Sequence, residues 1–393
     1  MARLINRRRL LLRAGGLAGV AVVGCGTGSS GGSGGDSRVV WTLSTPLNSG
    51  IVSLAAHRGV LYAGSSDPSG TGTLYAFDAT NGHERWEYDS PNLFFANAPT
   101  EYEPPVCTDD TVYATSGGGS VAWALHAVDA ATGKRRWRYE SPSGAISPAA
   151  AGVFVGTGNS EGGELVALEP VTGRPRWTVT TIGVCGQPAL AQGIVYGADS
   201  TGAVIAVDAA SGTQKWRAQC AETDTTRLPD LSYNPPLVTN GLVCLSVSTP
   251  DDGQPVLYAL RADTGQPAWT VPAPARKSSI ADAYHGPYLA ASTVCLINNS
   301  TGDSYGLDAA TGAKRWQSSS TSPDDSGACA ADTALIAGNR KDALYALDGA
   351  TGKVRWQFKQ GEVGTNPAFD GSTVYVGTSS NPPGVDTLYA LRL

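Results

Sequence analysis

Charge is scarce in this 393-residue chain, where Asp, Glu, Lys and Arg make up only 16%, well under the quarter usual in soluble domains. It is also unevenly placed. Residues 1–24 hold five Arg and no acid, so the remainder carries 23 basic and 34 acidic side chains, a net charge of −11. No basic stripe able to track a phosphate backbone is present, which excludes a nucleic-acid partner. Histidine is nearly absent. The four copies, His57, His83, His126 and His285, include no pair at metal-ligand spacing, so no metal site is expected and they read as ordinary strand or surface residues. No apolar run reaches the ~20 residues that a membrane-spanning helix needs. Gly-rich pieces such as 116–120 lack the following Lys-Ser/Thr and helix start of a phosphate cradle, and read as turns.

What is abundant is Gly (49), Pro (24) and, at 41%, hydrophobic side chains. Many turns and a sizeable core point to one large all-β domain. One phrase then dominates the body: apolar-x-Ala-apolar-Asp-x-x-Thr-Gly-x-x-x-Trp. It reads LYAFDATNGHERW at 74–86, LHAVDAATGKRRW at 125–137, LVALEPVTGRPRW at 165–177 and VIAVDAASGTQKW at 204–216. LYALRADTGQPAW at 257–269, SYGLDAATGAKRW at 304–316 and LYALDGATGKVRW at 344–356 complete seven copies. The Trp-to-Trp spacing of 39 to 53 residues matches one four-stranded blade per copy. The ends supply an eighth. The chain finishes LYALRL at 388–393, the first half of the phrase, and RVVWTL around Trp41 is the second half.

The reading is therefore an eight-bladed β-propeller of four-stranded antiparallel blades, its ring closed by the N-terminal strand pairing with the C-terminal strands. Closure removes the sheet edges an open array would expose. Each part of the phrase has a physical task. Leu-x-Ala-Leu alternates as a strand does, and the small residue (Ala76 through Ala390, with Gly306 in one copy) leaves room for a ring. Asp and Thr-Gly make a tight turn, because Asp bonds local amides and Gly takes positive φ. The indoles of Trp41, Trp86, Trp137, Trp177, Trp216, Trp269, Trp316 and Trp356 are expected to wedge between blades. Three copies depart at the Asp position, with Glu169, Arg261 and Arg392, and altered turns are expected there.

The first 37 residues read as an address. Arg8-Arg9-Leu10-Leu11-Leu12-Arg13 resembles a twin-arginine export signal, and Val22-Val23-Gly24-Cys25 resembles a bacterial lipobox. Residues 1–24 are thus expected to be a lipoprotein signal peptide cut before Cys25, whose thiol receives the lipid. Residues 25–37, nearly all Gly and Ser after the cysteine, are expected to be a flexible tether, and 38–393 the propeller. The protein is then exported and held at the cell membrane, on its extracytoplasmic side, by the lipid.

The Ala-x-Asp-x-x-Thr-Gly-x-x-x-Trp phrase resembles the tryptophan-docking motif of pyrroloquinoline-quinone (PQQ)-type repeats, over roughly 38–393. Such repeats build the propellers of quinoprotein dehydrogenases and the lipoprotein scaffold of the outer-membrane β-barrel assembly machinery. The first resemblance implies PQQ held against calcium at the propeller axis, with an Asp as base and, in most such enzymes, two adjacent cysteines beside the quinone. This sequence has no Cys-Cys pair and few insertions to wall in a cofactor. No catalytic residue and no cofactor are expected; PQQ with calcium is the alternative.

Six cysteines follow Cys25, an even number that allows disulfides in an exported protein. A Cys185–Cys220 pairing is favoured, against the alternative that most are small buried residues. In an up-and-down blade the D–A and B–C connections share one face. Three D–A connections are long: 88–103, 219–234 and 270–288, joined by a B–C loop at 65–73. They carry Leu93, Phe94, Phe95, Tyr102, Asp230, Tyr233, Arg276, Tyr284 and His285, aromatics beside charges that suit an interface. The functional expectation is a monomeric, membrane-anchored scaffold for a protein partner, with a small-ligand or carbohydrate sensor and a quinoprotein dehydrogenase as alternatives.

Overall fold

The computed structural model describes residues 36–45, 50–66, 71–91, 93, 104–118, 121–141, 145–148, 153–159, 162–182, 186–199, 201–220, 235–248, 255–272, 284–298, 302–319, 325–339, 343–379 and 386–393. Among these, every regular element is a strand and none is a helix. Seven sheets have four strands joined in sequence order, and the eighth combines both ends of the chain. Lettering strands A to D, blade 1 comprises Gly50–His57, Val60–Ser66, Thr71–Asp78 and Glu84–Pro91. Blade 2 comprises Val106–Cys107, Thr111–Gly118, Val121–Asp129 and Arg135–Glu140. In blade 8, Glu362–Val363 and Ala368–Asp370 share the A position, followed by Thr373–Ser379 and Asp386–Arg392. Its D strand is Val39–Thr45, antiparallel to Asp386–Arg392 with Trp41 opposite Ala390.

Burial grades from axis to rim. The C strands are covered on both faces by neighbouring blades: Ala124 to Val128 and Ala203 to Val207 are all buried. The D strands alternate, as in Arg135–Glu140, where Trp137 is buried while Arg136 and Arg138 are exposed. The A strands of adjacent blades meet around the axis, and side-chain amides join them where no ladder can. Asn366 brackets Leu54 of blade 1, accepting from its N–H at 3.2 Å and donating to its carbonyl at 3.3 Å. Gln187 donates to the Pro148 carbonyl at 2.8 Å, tying blade 4 to blade 3.

Seven of the eight indoles dock on the C–D turn of the next blade. Trp41, Trp86, Trp137, Trp177, Trp216 and Trp316 donate Nε1–H to the carbonyls of Ala79, Ala130, Pro170, Ala209, Ala262 and Gly349, at 2.7–3.1 Å. The turn glycine lies flat against the same ring. A Cβ on Gly173, whose φ is +68°, would stand 2.4 Å from Cε3 of Trp137. Gly59, at φ +75°, would meet nothing within 4 Å. Gly59→Ala is therefore expected to cost only backbone strain, about 1 kcal/mol. Gly173→Ala should cost about 2 kcal/mol more, because the indole must move. Urea unfolding of the two variants checks this, and equal losses would show that the docking contact yields freely.

The seam repeats the rule with two separate chain ends. In every other blade the residue ending strand C donates its N–H to the carbonyl three residues before the Trp, as Asp348 does to Lys353 at 2.8 Å. At the seam Arg392 donates to Arg38 at 2.8 Å, the same bond without a connecting chain. Among the described residues no turn glycine covers Trp356. The Arg38 guanidinium does so instead, 5.1 Å from the ring centroid, a cation–π contact held by Asp36 at 2.6 Å.

Candidate binding face

Because strands alternate in direction, A–B and C–D turns share one end of the ring, the turn face. The B–C and D–A connections share the other, the loop face. On the turn face the repeated polar residues fold the turns. Asp348 Oδ1 accepts from the N–H and hydroxyl of Thr351, both at 2.9 Å, and Oδ2 from Arg355 at 2.7 Å. Asp129 with Thr132 and Arg136, and Asp308 with Thr311 and Arg315, repeat the arrangement. Asp78 does so with Thr80 and Arg85. These donors stabilise the carboxylates. The Thr80 hydroxyl and then Arg85 hold Asp78 at about 2, and Arg136 with Thr132 holds Asp129 at about 2.

Two of the three turns at the departures from Asp are not altered, contrary to the sequence expectation; the third position, Arg392, lies at the seam. Glu169 and Arg261 keep both backbone bonds, to Arg174 and Gly173 and to Gln266 and Gly265, at 2.7–2.8 Å. The glycine and the backbone bonds set the turn, and the Asp side chain reinforces it.

The loop face carries the variable connections. Those between Pro91 and Val106, Gln219 and Leu237, and Pro272 and Tyr284 have 14, 17 and 11 residues. The strands run further into them than the sequence indicated. Ser65 and Thr73, read as part of a B–C loop, are paired strand residues. Leu93 is 1% exposed and bridges Ser116, so it packs rather than presents. His285 sits in the A strand of blade 6, Tyr284–Ala290, opposite Ile297. Burial pushes its imidazole down to about 4. It belongs to the inner wall of the ring and not to an exposed loop, because pairing with Thr293–Asn298 extends the strand past it. Tyr284 starts the same strand, opposite Asn298. Phe94, Phe95, Tyr102, Asp230, Tyr233 and Arg276 lie outside the described residues, as do Arg8, Arg9 and Cys25. Cys220 is a free thiol, with burial pushing it up to about 12; its favoured partner Cys185 lies outside the described residues.

Two polar clusters at this end escaped sequence reasoning. His126 is 1% exposed, between the Tyr88 hydroxyl at 2.8 Å from Nδ1 and the Ser116 hydroxyl at 2.8 Å from Nε2. Tyr88 comes from blade 1 and the other two from blade 2, so the cluster spans a blade interface. Burial, with Arg138 and Arg135 nearby, lowers the imidazole to about 4. In blade 4, Asp199 is 1% exposed, caps its own turn through Thr201 and meets Arg217 at 3.1 Å. Among the described residues no three His, Cys, Asp or Glu side chains gather into a group able to hold a metal ion.

Known proteins share this architecture. The chain is 29% identical to the outer membrane protein assembly factor BamB of Burkholderia pseudomallei over 200 residues, 49% of each chain. It is 25% identical to that of Bordetella pertussis over 243 residues, 59% of this chain and 58% of the other. A 162-residue stretch is 32% identical to the serine/threonine-protein kinase AfsK of Streptomyces griseus, covering 37% of this chain and 19% of the kinase. The chain thus spans about half the length of the assembly factors it matches, and a fifth of the kinase. Among solved structures, BamB of Moraxella catarrhalis superposes with a TM-score of 0.59 at 19% identity, over 88% of this chain and 97% of the other. A europium-containing methanol dehydrogenase superposes with a TM-score of 0.62 at 15% identity, over 91% and 93%. At these identities the superpositions speak for the fold alone. The family model described as outer membrane protein assembly factor BamB matches residues 33–181, 123–229, 161–330 and 301–391, from the first strand of the ring to the last, and the chain belongs to that PQQ-repeat propeller family.

Proposed function

We propose that this protein is a membrane-anchored, extracytoplasmic scaffold that binds a protein partner on the loop face of its propeller. The observation that carries the reading is how the polar side chains are divided. The repeated Trp of each blade joins it to the next, and where Asp, Thr and Arg recur, as at Asp78, Asp129, Asp308 and Asp348, they fold turns, while the long variable connections all leave from one rim. A rigid ring with variable loops on one face is suited to recognition, and kinship to assembly factors favours a protein as the ligand. The Cys25 lipid would hold the ring at the membrane.

Calorimetric titration of the full chain with PQQ, with and without calcium, separates this reading from the quinoprotein alternative. No saturable heat is expected, and calcium-dependent saturation would overturn the scaffold reading. In cells, Cys25→Ser should move the protein from the membrane fraction to the soluble fraction. Replacing 220–236 with a short Gly-Ser link should abolish cross-linking to the partner while leaving the fractionation unchanged.

A further inference from the structure

The turn face of blades 2 and 3 combines cations that have no acid partner among the described residues with an exposed apolar tip. Lys134 and Arg135 lead out of the blade 2 turn, and Arg174 out of the blade 3 turn. The two turns are locked side by side by Trp137, whose Nε1 donates to Pro170 at 2.7 Å and whose ring covers Gly173. The neighbouring cations are taken: Arg136 by Asp110 and Asp129, Arg138 by Glu140. No ion pair among the described residues involves Lys134, Arg135 or Arg174, so with Glu169 counted the patch keeps a net positive charge in a body of −11. Val171, at the tip of the blade 3 turn beside Pro170, is 78% exposed.

The pattern extends round the rim. Of five exposed large hydrophobic residues among those described, Val171, Val354 (44%) and Leu393 (36%) lie on the turn face. Val354 follows Lys353, and Leu393 follows Arg392. Apolar tips flanked by cations match the boundary of an anionic bilayer, where the apolar group enters the headgroup layer and the cations meet phosphates. The chain also enters the ring on this face. Asp36 and Arg38 sit at the seam turn, eleven residues after Cys25, at most about 40 Å of chain.

We infer that the turn face, centred on Lys134, Arg135, Val171 and Arg174, lies against anionic phospholipid and turns the loop face away from the membrane. The inference deepens the anchored-scaffold reading but does not require the lipid on Cys25.

The test uses the full chain carrying Cys25→Ser, so that no acyl group contributes. It should co-sediment with vesicles of phosphatidylglycerol and phosphatidylethanolamine, not with phosphatidylcholine alone, and should be released by salt. Lys134→Gln, Arg135→Gln and Arg174→Gln together should weaken partitioning about 100-fold, at roughly fivefold per cation near an anionic surface. Val171→Ser should weaken it further, with an unchanged melting temperature in both variants. No binding to the anionic vesicles, equal binding to neutral ones, or a triple variant that binds like the parent would each overturn the inference. Wild-type lipidation at Cys25, read by mass, is a separate result. If Cys25 is lipidated and the Cys25→Ser chain ignores anionic vesicles, the anchor stands and the docked face falls. If Cys25 is unmodified and the vesicle binding holds, the reverse is true.

Discussion

Trp137→Ala should lower the unfolding free energy by about 3–5 kcal/mol, the range for truncating a large buried aromatic. The indole is 7% exposed and lies 5.7 Å from the Tyr113 ring, and its Nε1 satisfies the Pro170 carbonyl. Removing it opens a cavity between blades 2 and 3, leaves that carbonyl without its indole donor, and takes away the surface on which Gly173 rests. Trp356 provides the internal control. It is only half-buried, its Nε1 has no partner, and Arg38 covers it instead of a glycine turn. Trp356→Ala should therefore cost less than Trp137→Ala by about 1 kcal/mol or more, the net value of the hydrogen bond plus the smaller buried area. Urea unfolding with one probe for secondary structure and one for tertiary packing measures both. If the two substitutions cost the same, the hydrogen bond and glycine contact add nothing beyond buried area. If Trp137→Ala costs under about 1 kcal/mol, the indoles do not join the blades.

The ring was legible because its chemistry is repeated. Seven copies of one phrase, with a Trp that needs a flat partner and a Gly that takes positive φ, require a neighbour of the same kind. The split phrase at the two ends requires closure, and the Val39–Thr45 strand beside Asp386–Arg392 meets that requirement. The non-repeating parts were not legible in the same way. His126 sits in a C strand covered on both faces, so alternation assigns it no side, and its partner Tyr88 is 38 residues away on another blade. His285 falls in the long connection read at 270–288, yet it is a strand residue, although Gly286 and Pro287, which normally signal a turn, follow it. The strand passes through them with a register shift between His285 and Tyr288. The turns at Glu169 and Arg261 were misjudged for the opposite reason. The sequence reading required both the Asp side chain and the glycine, when the backbone bonds and the glycine suffice. The unpaired cations of blades 2 and 3 could not be identified from sequence, since the arginines just before a Trp that pair and the cations that do not are alike in type. Geometry alone distinguishes Arg136, with two carboxylates, from Arg135, with none.

Stability should fall as pH drops from about 7 toward about 4, with two histidines responsible. His126 and His285 are both held down to about 4, His126 by burial and then by Arg138 and Arg135, His285 by burial. In the unfolded chain both return to the ordinary value near 6.5. Between those limits the unfolded state binds more protons than the folded state, so acidification favours unfolding. The folded state keeps its full advantage above about pH 6.5 and has lost it by about pH 4, at on the order of 3 kcal/mol for each imidazole. The turn carboxylates do not enter this window: Asp78 and Asp129 are held at about 2, and their contribution is lost only below the ordinary carboxylate range. Urea midpoints across the window should therefore slope steeply in the wild type. The slope should be about halved in His126→Leu and nearly absent when His285→Leu is added. His126→Leu has its own cost, because the buried Ser116 hydroxyl and the Tyr88 hydroxyl lose their shared partner. That penalty, about 1–3 kcal/mol, is independent of pH and lowers the whole curve without tilting it. The tilt reports the imidazole proton and the offset reports the hydroxyls. A double variant that tilts like the parent would mean that other groups cause the acid sensitivity, and that the inner wall and the blade 1–2 interface hold their histidines in water.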